Sequence, residues 1–310
     1  MSGVLKAMAT EKLSGSMNKS LEVLVRELGF EPGTKLLMIH ADDAGLSHSE
    51  NMATIEALQK GVVNSYSIMV PCPWFYEMAE FALRHPEFDY GIHLTVTCEW
   101  NSYKFGPVLG QHSVPSLTDE QGFFFKNRKD VVDNAKLQEL KDELCAQIDR
   151  ALAIGLQPSH LDSHMYTLGA SLEFLELYRE IGRQYRLPVL LNSSLIREMS
   201  GMNNPDIDLS KDIEVDHMLL GQFNDFSKGK LRDYYIHALT HLQPGFNVLL
   251  IHPAHDNEEM KAVTRDHPNF GAEWRQIDLE FFTSDQCKTI LREQGIQMVN
   301  WTQIKNIKYP

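Results

Sequence analysis

Two adjacent carboxylates, Asp42 and Asp43, end the strand-like run KLLMIHADD. His93 lies in FDYGIHLTV, His160, Asp162 and His164 fall within SHLDSHM, and His252 follows NVLLI. One carboxylate and two imidazoles around a divalent cation leave coordination positions free, which suits Zn²⁺ or a harder ion. Such an open centre holds a water whose pKa the cation lowers, giving a nucleophile at neutral pH. The other carboxylate of the pair would serve as general base, and a distant histidine would protonate a leaving nitrogen. Residues 160, 162 and 164 share one face of a strand, so His160, Asp162 and His164 combine as a ligand with its hydrogen-bonded supports.

Taken singly, each of these has a plainer reading. Asp42-Asp43 before Ala-Gly-Leu-Ser could cap a helix, and a lone His93 could be a satisfied core residue. Their shared position decides between the readings. All lie at or near the C-terminal ends of strand-like runs, and in a parallel α/β fold those ends form one face where active sites assemble.

The elements that must position them alternate. Helical periodicity over Leu21 to Leu28, Asn51 to Gly61, Trp74 to His85, Asn134 to Ile154, Leu172 to Tyr185, Lys230 to Leu242 and Ser284 to Glu293 is interleaved with strand-like runs. The runs begin at Lys35, Val62, Phe88, Ser159, Pro188, Asn247 and Ile296. This alternation predicts parallel strands joined by helical crossovers, closed into a barrel or left as an open sheet. Thr97 to Asp130 has no clear period and reads as a lid or substrate wall, and Glu198 to Asp225 reads as a polar excursion.

The chain of 310 residues carries 42 carboxylates against 29 Lys and Arg, a net charge of −13. That balance argues against nucleic acid and anionic membrane as partners. Cys72, Cys98, Cys145 and Cys287 form no C-x-x-C pair, and the N-terminal residues lack a signal-peptide core, so a cytoplasmic location is expected. His237 and His241 have zinc-protease spacing, but Ala238 stands where the required Glu would be. Nucleophile-elbow, phosphate-loop and dinucleotide motifs are missing. Trp74, Tyr90, Trp100 and Tyr103 are candidates for stacking on a sugar ring.

IHADDAGLSHSEN, IEALQKGVVNSYSIMV, YGIHLTVT, PSHLDSHMYTLG and VLLIHPAH occur in this order. From Lys35 onward the chain thereby resembles the YdjC/ChbG-like carbohydrate deacetylases, which remove acetyl from N-acetylglucosamine units of small oligosaccharides. The resemblance implies a distorted TIM-like (β/α) barrel of the polysaccharide-deacetylase type over residues 35–310, preceded by an extension over 1–34. It implies one divalent metal, Mg²⁺ or Zn²⁺, on Asp43, His93 and His164, with Asp42 as base and His252 as acid. It also implies an acetylated sugar or small oligosaccharide as substrate, and it suggests a homodimer. Arg275 falls where members carry an Arg followed three residues later by Glu; here the later residue is Asp278, and Arg275 is expected to orient Asp42. Ala44 replaces the usual Phe after the Asp pair, and Met165-Tyr166-Thr167 replaces further histidines, so the substrate walls should differ. A metal-dependent amidase or esterase on a non-sugar acyl group, or a non-catalytic carbohydrate-binding relative, would share this ligand set.

Overall fold

The computed structural model describes residues 19–201 and 208–310. Residues 1–18 of the expected extension lie outside them. Within the rest of that extension α1 (Lys19–Glu27) buries Leu24 and Val25 in the core, and turns lead from it to residue 34.

From there β1 (Lys35–Ala44), α2 (His48–Lys60), β2 (Ser65–Ile68), α3 (Phe75–Arg84) and β3 (Tyr90–Leu94) alternate as expected. A long segment then leads to α4 (Arg128–Asn134), α5 (Leu137–Ala153), β4 (Leu161–Ser163), a 3₁₀ turn (His164–Gly169), α6 (Leu172–Tyr185) and α7 (Ser193–Ser200). The last part comprises β5 (His217–Leu220), α8 (Phe223–Phe226), α9 (Leu231–Thr240), β6 (Gly245–Ile251), α10 (Glu258–Val263), α11 (Ala272–Thr283), α12 (Asp285–Glu293), β7 (Gln297–Met298) and α13 (Trp301–Lys308).

The strands pair in parallel in the order β4-β3-β2-β1-β6-β5. Beyond β4 the ring closes irregularly. Leu161 N–H donates to Pro188 O (2.9 Å) and Leu190 N–H to Leu161 O (3.0 Å), and Val215 N–H, just ahead of β5, donates to Leu191 O (2.8 Å). This is the expected distorted barrel. The run starting at Pro188 bridges it only at Val189 and then enters α7, whose N-cap Asn192 accepts from Leu195 N–H. The predicted strand there is therefore corrected to a bridge and a helix start. On the side of β6 away from β1 the partner strand is β5, inside the segment read as a polar excursion.

The short β7 occupies the edge of β1 that β2 leaves free: Leu36 and Leu37 register with Gln297 and Met298, and the pairing with β2 begins only at His40, opposite Ser65. Asn64 spans the fork, accepting from Ile39 N–H (2.9 Å) and donating to Val299 O (2.8 Å). The apolar run Leu36 to Ile39 is fully buried, as a central parallel strand covered on both faces requires. The outer helices present apolar stripes to the barrel; α6, on the β4 side, buries Phe174, Leu175, Leu177, Tyr178 and Ile181, and its N-cap Ser171 accepts from Phe174 N–H. Burying each such large side chain contributes roughly 1.5–3 kcal/mol.

Candidate metal centre

Consecutive residues of a regular strand point to opposite faces, which would separate Asp42 from Asp43. The chain avoids this with a bulge. Between Ala41 and Ala44, which pair with Tyr66 and Ile68, β1 holds one residue more than β2, and Asp43 adopts φ +66°. Asp is among the few residues that tolerate this left-handed conformation. Both carboxylates consequently turn toward the barrel interior.

His93, near the end of β3, registers with Asp162 on β4, and His164 begins the 3₁₀ turn that follows β4. That turn is sharp because Met165 and Tyr166 both have φ near +50°. Asp43 Oδ1 lies 3.3 Å from His93 Nε2 and 3.1 Å from His164 Nδ1, and the two ring nitrogens are 3.3 Å apart. Three residues from three strand ends thus make a triangle of ligand atoms, all of them buried. Metal–ligand distances of about 2.0–2.1 Å imply ligand–ligand edges of about 3.3 Å in a tetrahedron and about 3.0 Å in an octahedron. The triangle fits a divalent cation of either kind.

Each ligand candidate is held from behind. Asp43 Oδ2 accepts from Arg275 Nη2 (2.9 Å), whose guanidinium also pairs with Glu50 and donates through Nε to Phe270 O (2.8 Å). His93 Nδ1 faces Asp162 Oδ1 at 2.7 Å, and His164 Nε2 faces Glu99 Oε2 at 2.9 Å. Asp162 Oδ2 in turn meets His40 Nε2 at 2.8 Å and lies 3.6 Å from His160 Nε2. His160 is set by Ser159 Oγ at Nδ1 (2.8 Å) and by stacking on Trp301 (5.0 Å between centroids).

Burial alone would raise the Asp43 and Asp162 carboxyls, but the neighbouring histidines, and Arg275 beside Asp43, hold both well below the usual carboxylate range. Burial likewise opposes protonation of His164, yet Glu99 and Asp43 lift it to about 9. Desolvation pushes Glu50 well up despite Arg275. These shifts describe negative charge gathered around a point where positive charge belongs.

Asp42 stands beside the triangle. Its Oδ1 is 3.2 Å from His40 Nε2 but out of line for a hydrogen bond, and its Oδ2 is 3.7 Å from His252 Nε2. His252 is held by its own backbone N–H, donated to Asp278 Oδ2 (2.9 Å), and by Phe270 against its ring (4.7 Å). Burial takes its pKa down to about 4.

Asp42, Asp43, His93, His160, Asp162, His164, His252 and Arg275 therefore meet in one place, with one correction among them. Arg275 holds Asp43, not Asp42. The proposed aromatic walls are also revised: Trp100 is fully buried, and Tyr90 is buried at the start of β3, its hydroxyl accepting from Gln157 N–H. Trp74 remains exposed and leans on His48. Three site residues were missed. His40 shares a strand face with Asp42 by simple alternation, so a signal existed. Glu50 reads as the acidic member of a Ser47-x-x-Glu50 helix cap, and Ser47 does cap α2, but the carboxylate turns to Arg275 instead. Glu99 lies in the aperiodic segment after β3, where spacing carries no information.

The fold and site together define a parallel α/β barrel whose strand ends carry a buried Asp-His-His cluster that could hold a cation, flanked by a further Asp and His. Residues 36–293 match the family described as YdjC-like protein, and this chain belongs to that family. Among its relatives, proteins called carbohydrate deacetylase from Thermus thermophilus and Enterococcus faecalis are 30% and 29% identical. In both alignments 87% of this chain is covered, with 94% and 98% of the relative. A crystal structure from Enterococcus faecalis V583, of a protein named for a proposed role in cellobiose-phosphate cleavage, superposes with a TM-score of 0.72 at 26% identity, covering 87% of this chain and 99% of the other. Among the described residues no helix is long and apolar enough to cross a membrane.

Proposed function

We propose that this protein is a metal-dependent carbohydrate deacetylase that hydrolyses the N-acetyl amide of a sugar or small oligosaccharide and releases acetate. The observation that carries the reading is the triangle of Asp43 Oδ1, His93 Nε2 and His164 Nδ1, with edges of 3.1–3.3 Å and the carboxylate of Asp42 beside it. The relatives called carbohydrate deacetylase supply the substrate class. Asp43, His93 and His164 would hold one Mg²⁺ or Zn²⁺. That cation supplies a Lewis acid for the acetyl carbonyl and makes a water at the centre more acidic.

The protein's own groups move the protons. Asp42, whose Oδ1 has no hydrogen-bond partner, takes the proton of the attacking water. His252 rests neutral because burial holds it to about 4, so it brings no proton of its own. The nearest supply is Asp42 Oδ2 at 3.7 Å, and the proton passes through the His252 ring to the departing nitrogen as the C–N bond breaks. Arg275 neutralises Asp43 and keeps one oxygen turned inward. The four free thiols suit a reducing, cytoplasmic setting.

The test measures acetate release from N-acetyl sugars against simple acetyl amides and esters, with metal content determined in parallel. Asp43→Ala and His164→Ala should lose both metal and turnover. Asp42→Asn should keep its metal and lose turnover by about 10²–10⁴-fold. Full acetate release by Asp42→Asn would remove the base assignment, and preference for a non-sugar acyl group would remove the substrate class.

A further inference from the structure

We propose that Glu99 is a positioning residue of the metal centre, fixing the tautomer and ring orientation in which His164 offers Nδ1 to the cation. The inference rests on the reading of Asp43, His93 and His164 as the ligand set.

His164 is engaged at both nitrogens. Nδ1 faces Asp43 Oδ1 at 3.1 Å and His93 Nε2 at 3.3 Å, and Nε2 faces Glu99 Oε2 at 2.9 Å. A neutral imidazole carries one N–H and one lone pair, whereas a carboxylate can only accept. Glu99 therefore takes the Nε2–H and leaves the lone pair on Nδ1. Asp162 does the same for His93 from the opposite direction, accepting from Nδ1 at 2.7 Å and leaving the lone pair on Nε2. The two lone pairs thus point at each other and at a carboxylate oxygen. That arrangement is repulsive unless positive charge sits between them, a proton in the metal-free protein or a cation that displaces it. Asp162 belongs to the same SHLDSHM run that supplies His164, but Glu99 arrives from a different segment.

The base of that segment is itself tied to the centre. Trp100 lies against the Arg275 guanidinium (5.6 Å to the ring centroid) and edge-on to His267 (5.0 Å), the Tyr103 hydroxyl donates to Leu46 O, and Cys98 N–H donates to Phe125 O (2.8 Å). The Glu99 side chain is only 12% exposed, so water competes weakly for its oxygens. The segment read as a lid from sequence thereby contributes, at its first residues, a support for the metal ligands. Outer carboxylates of this kind commonly change metal affinity by about 10–100-fold.

Full-length protein stripped with chelator is titrated calorimetrically with Zn²⁺, comparing the wild type with Glu99→Ala, Glu99→Gln and Asp43→Ala. Glu99→Ala should bind Zn²⁺ about 10–100-fold more weakly. Glu99→Gln, whose amide oxygen still accepts the Nε2–H, should recover most of that loss. The visible spectrum of the Co²⁺-loaded Glu99→Gln protein should match the wild type, because the ligand set is intact. Wild-type affinity in Glu99→Ala, equal weakening in Glu99→Gln and Glu99→Ala, or an altered Co²⁺ spectrum in Glu99→Gln would each overturn the assignment. If Glu99→Ala does not fold, Glu99→Asp, one methylene too short to reach His164, takes its place with the same expectation. Asp43→Ala separates the two levels: undiminished Zn²⁺ binding there would remove the metal centre itself, whereas its loss beside normal binding in Glu99→Ala would remove only the role of Glu99.

Discussion

Around Asp42 and His252 the acid–base behaviour of single side chains yields a measurable pH signature. Asp278 sits behind His252, accepting its backbone N–H (2.9 Å) and the Tyr235 hydroxyl (2.5 Å). Burial pushes its carboxyl from 3.8 up to about 7. A folded-state pKa above the unfolded value means the folded chain holds the proton more tightly. The stabilisation is complete below about 3.8 and is lost as pH rises through about 7. His252 has the opposite sign: burial takes it from 6.5 to about 4, so its contribution is present above 6.5 and lost as pH falls toward 4. Between about 4 and 6.5 the two slopes oppose each other. Asp278→Asn removes the first and leaves the second. Across that window the variant should gain stability relative to the wild type by up to about 1.4 kcal/mol per pH unit, read from denaturant melts of metal-free protein. A difference that stays flat with pH would show that Asp278 is not protonated in the folded state.

At the scale of elements, the question is why these strands can bring polar rings together without clashes. Gly91 precedes His93 by two residues and so faces the same way; a Cβ there would lie 2.5 Å from the His160 ring. That ring cannot easily retreat because it stacks on Trp301. Gly91→Ala should therefore cost roughly 1–3 kcal/mol of stability and, through Asp162, disturb His93. Thermal melts and metal titration check this, and a fully stable variant with normal metal affinity would contradict it. The same elements show what was legible in the sequence and what was not. Leu172–Tyr185 is recovered residue for residue, because its apolar spacing and Ser171 cap agree with its tertiary environment. β5 was lost because its four residues are only half-buried and too few to show a period. α11, which carries Arg275 and Asp278, buries polar residues beside Trp274, Leu279 and Phe281, so its inner face has no clean apolar stripe. The Asp43 bulge cannot be read from alternation at all, since it exists to break alternation.

For the whole molecule, the site concentrates negative charge that the barrel must tolerate. Asp42, Asp43, Glu50, Glu99 and Asp162 crowd the strand ends, only Asp43 and Glu50 pairing with the Arg275 guanidinium, in a chain already carrying a net charge of −13. On the proposed ligand set, a divalent cation bound only by the folded state would offset this repulsion and link β1, β3 and the turn after β4. By mass action, free metal at 100 times its dissociation constant adds about 2.7 kcal/mol to the unfolding free energy. For a chain of 310 residues, with roughly 2 °C gained per kcal/mol, that amounts to a rise in Tm on the order of 5 °C over chelator-treated protein. Asp43→Ala should show no such response, because the remaining histidines lack their shared carboxylate. The comparison is made at constant protein concentration and pH, with Zn²⁺ and Mg²⁺ added separately, and the ion giving the larger rise at equal free concentration is the better fit to the Asp43, His93 and His164 triangle. An identical Tm for the wild type with chelator, with Zn²⁺ and with Mg²⁺ would mean that these side chains hold each other, and not a cation, in the folded barrel.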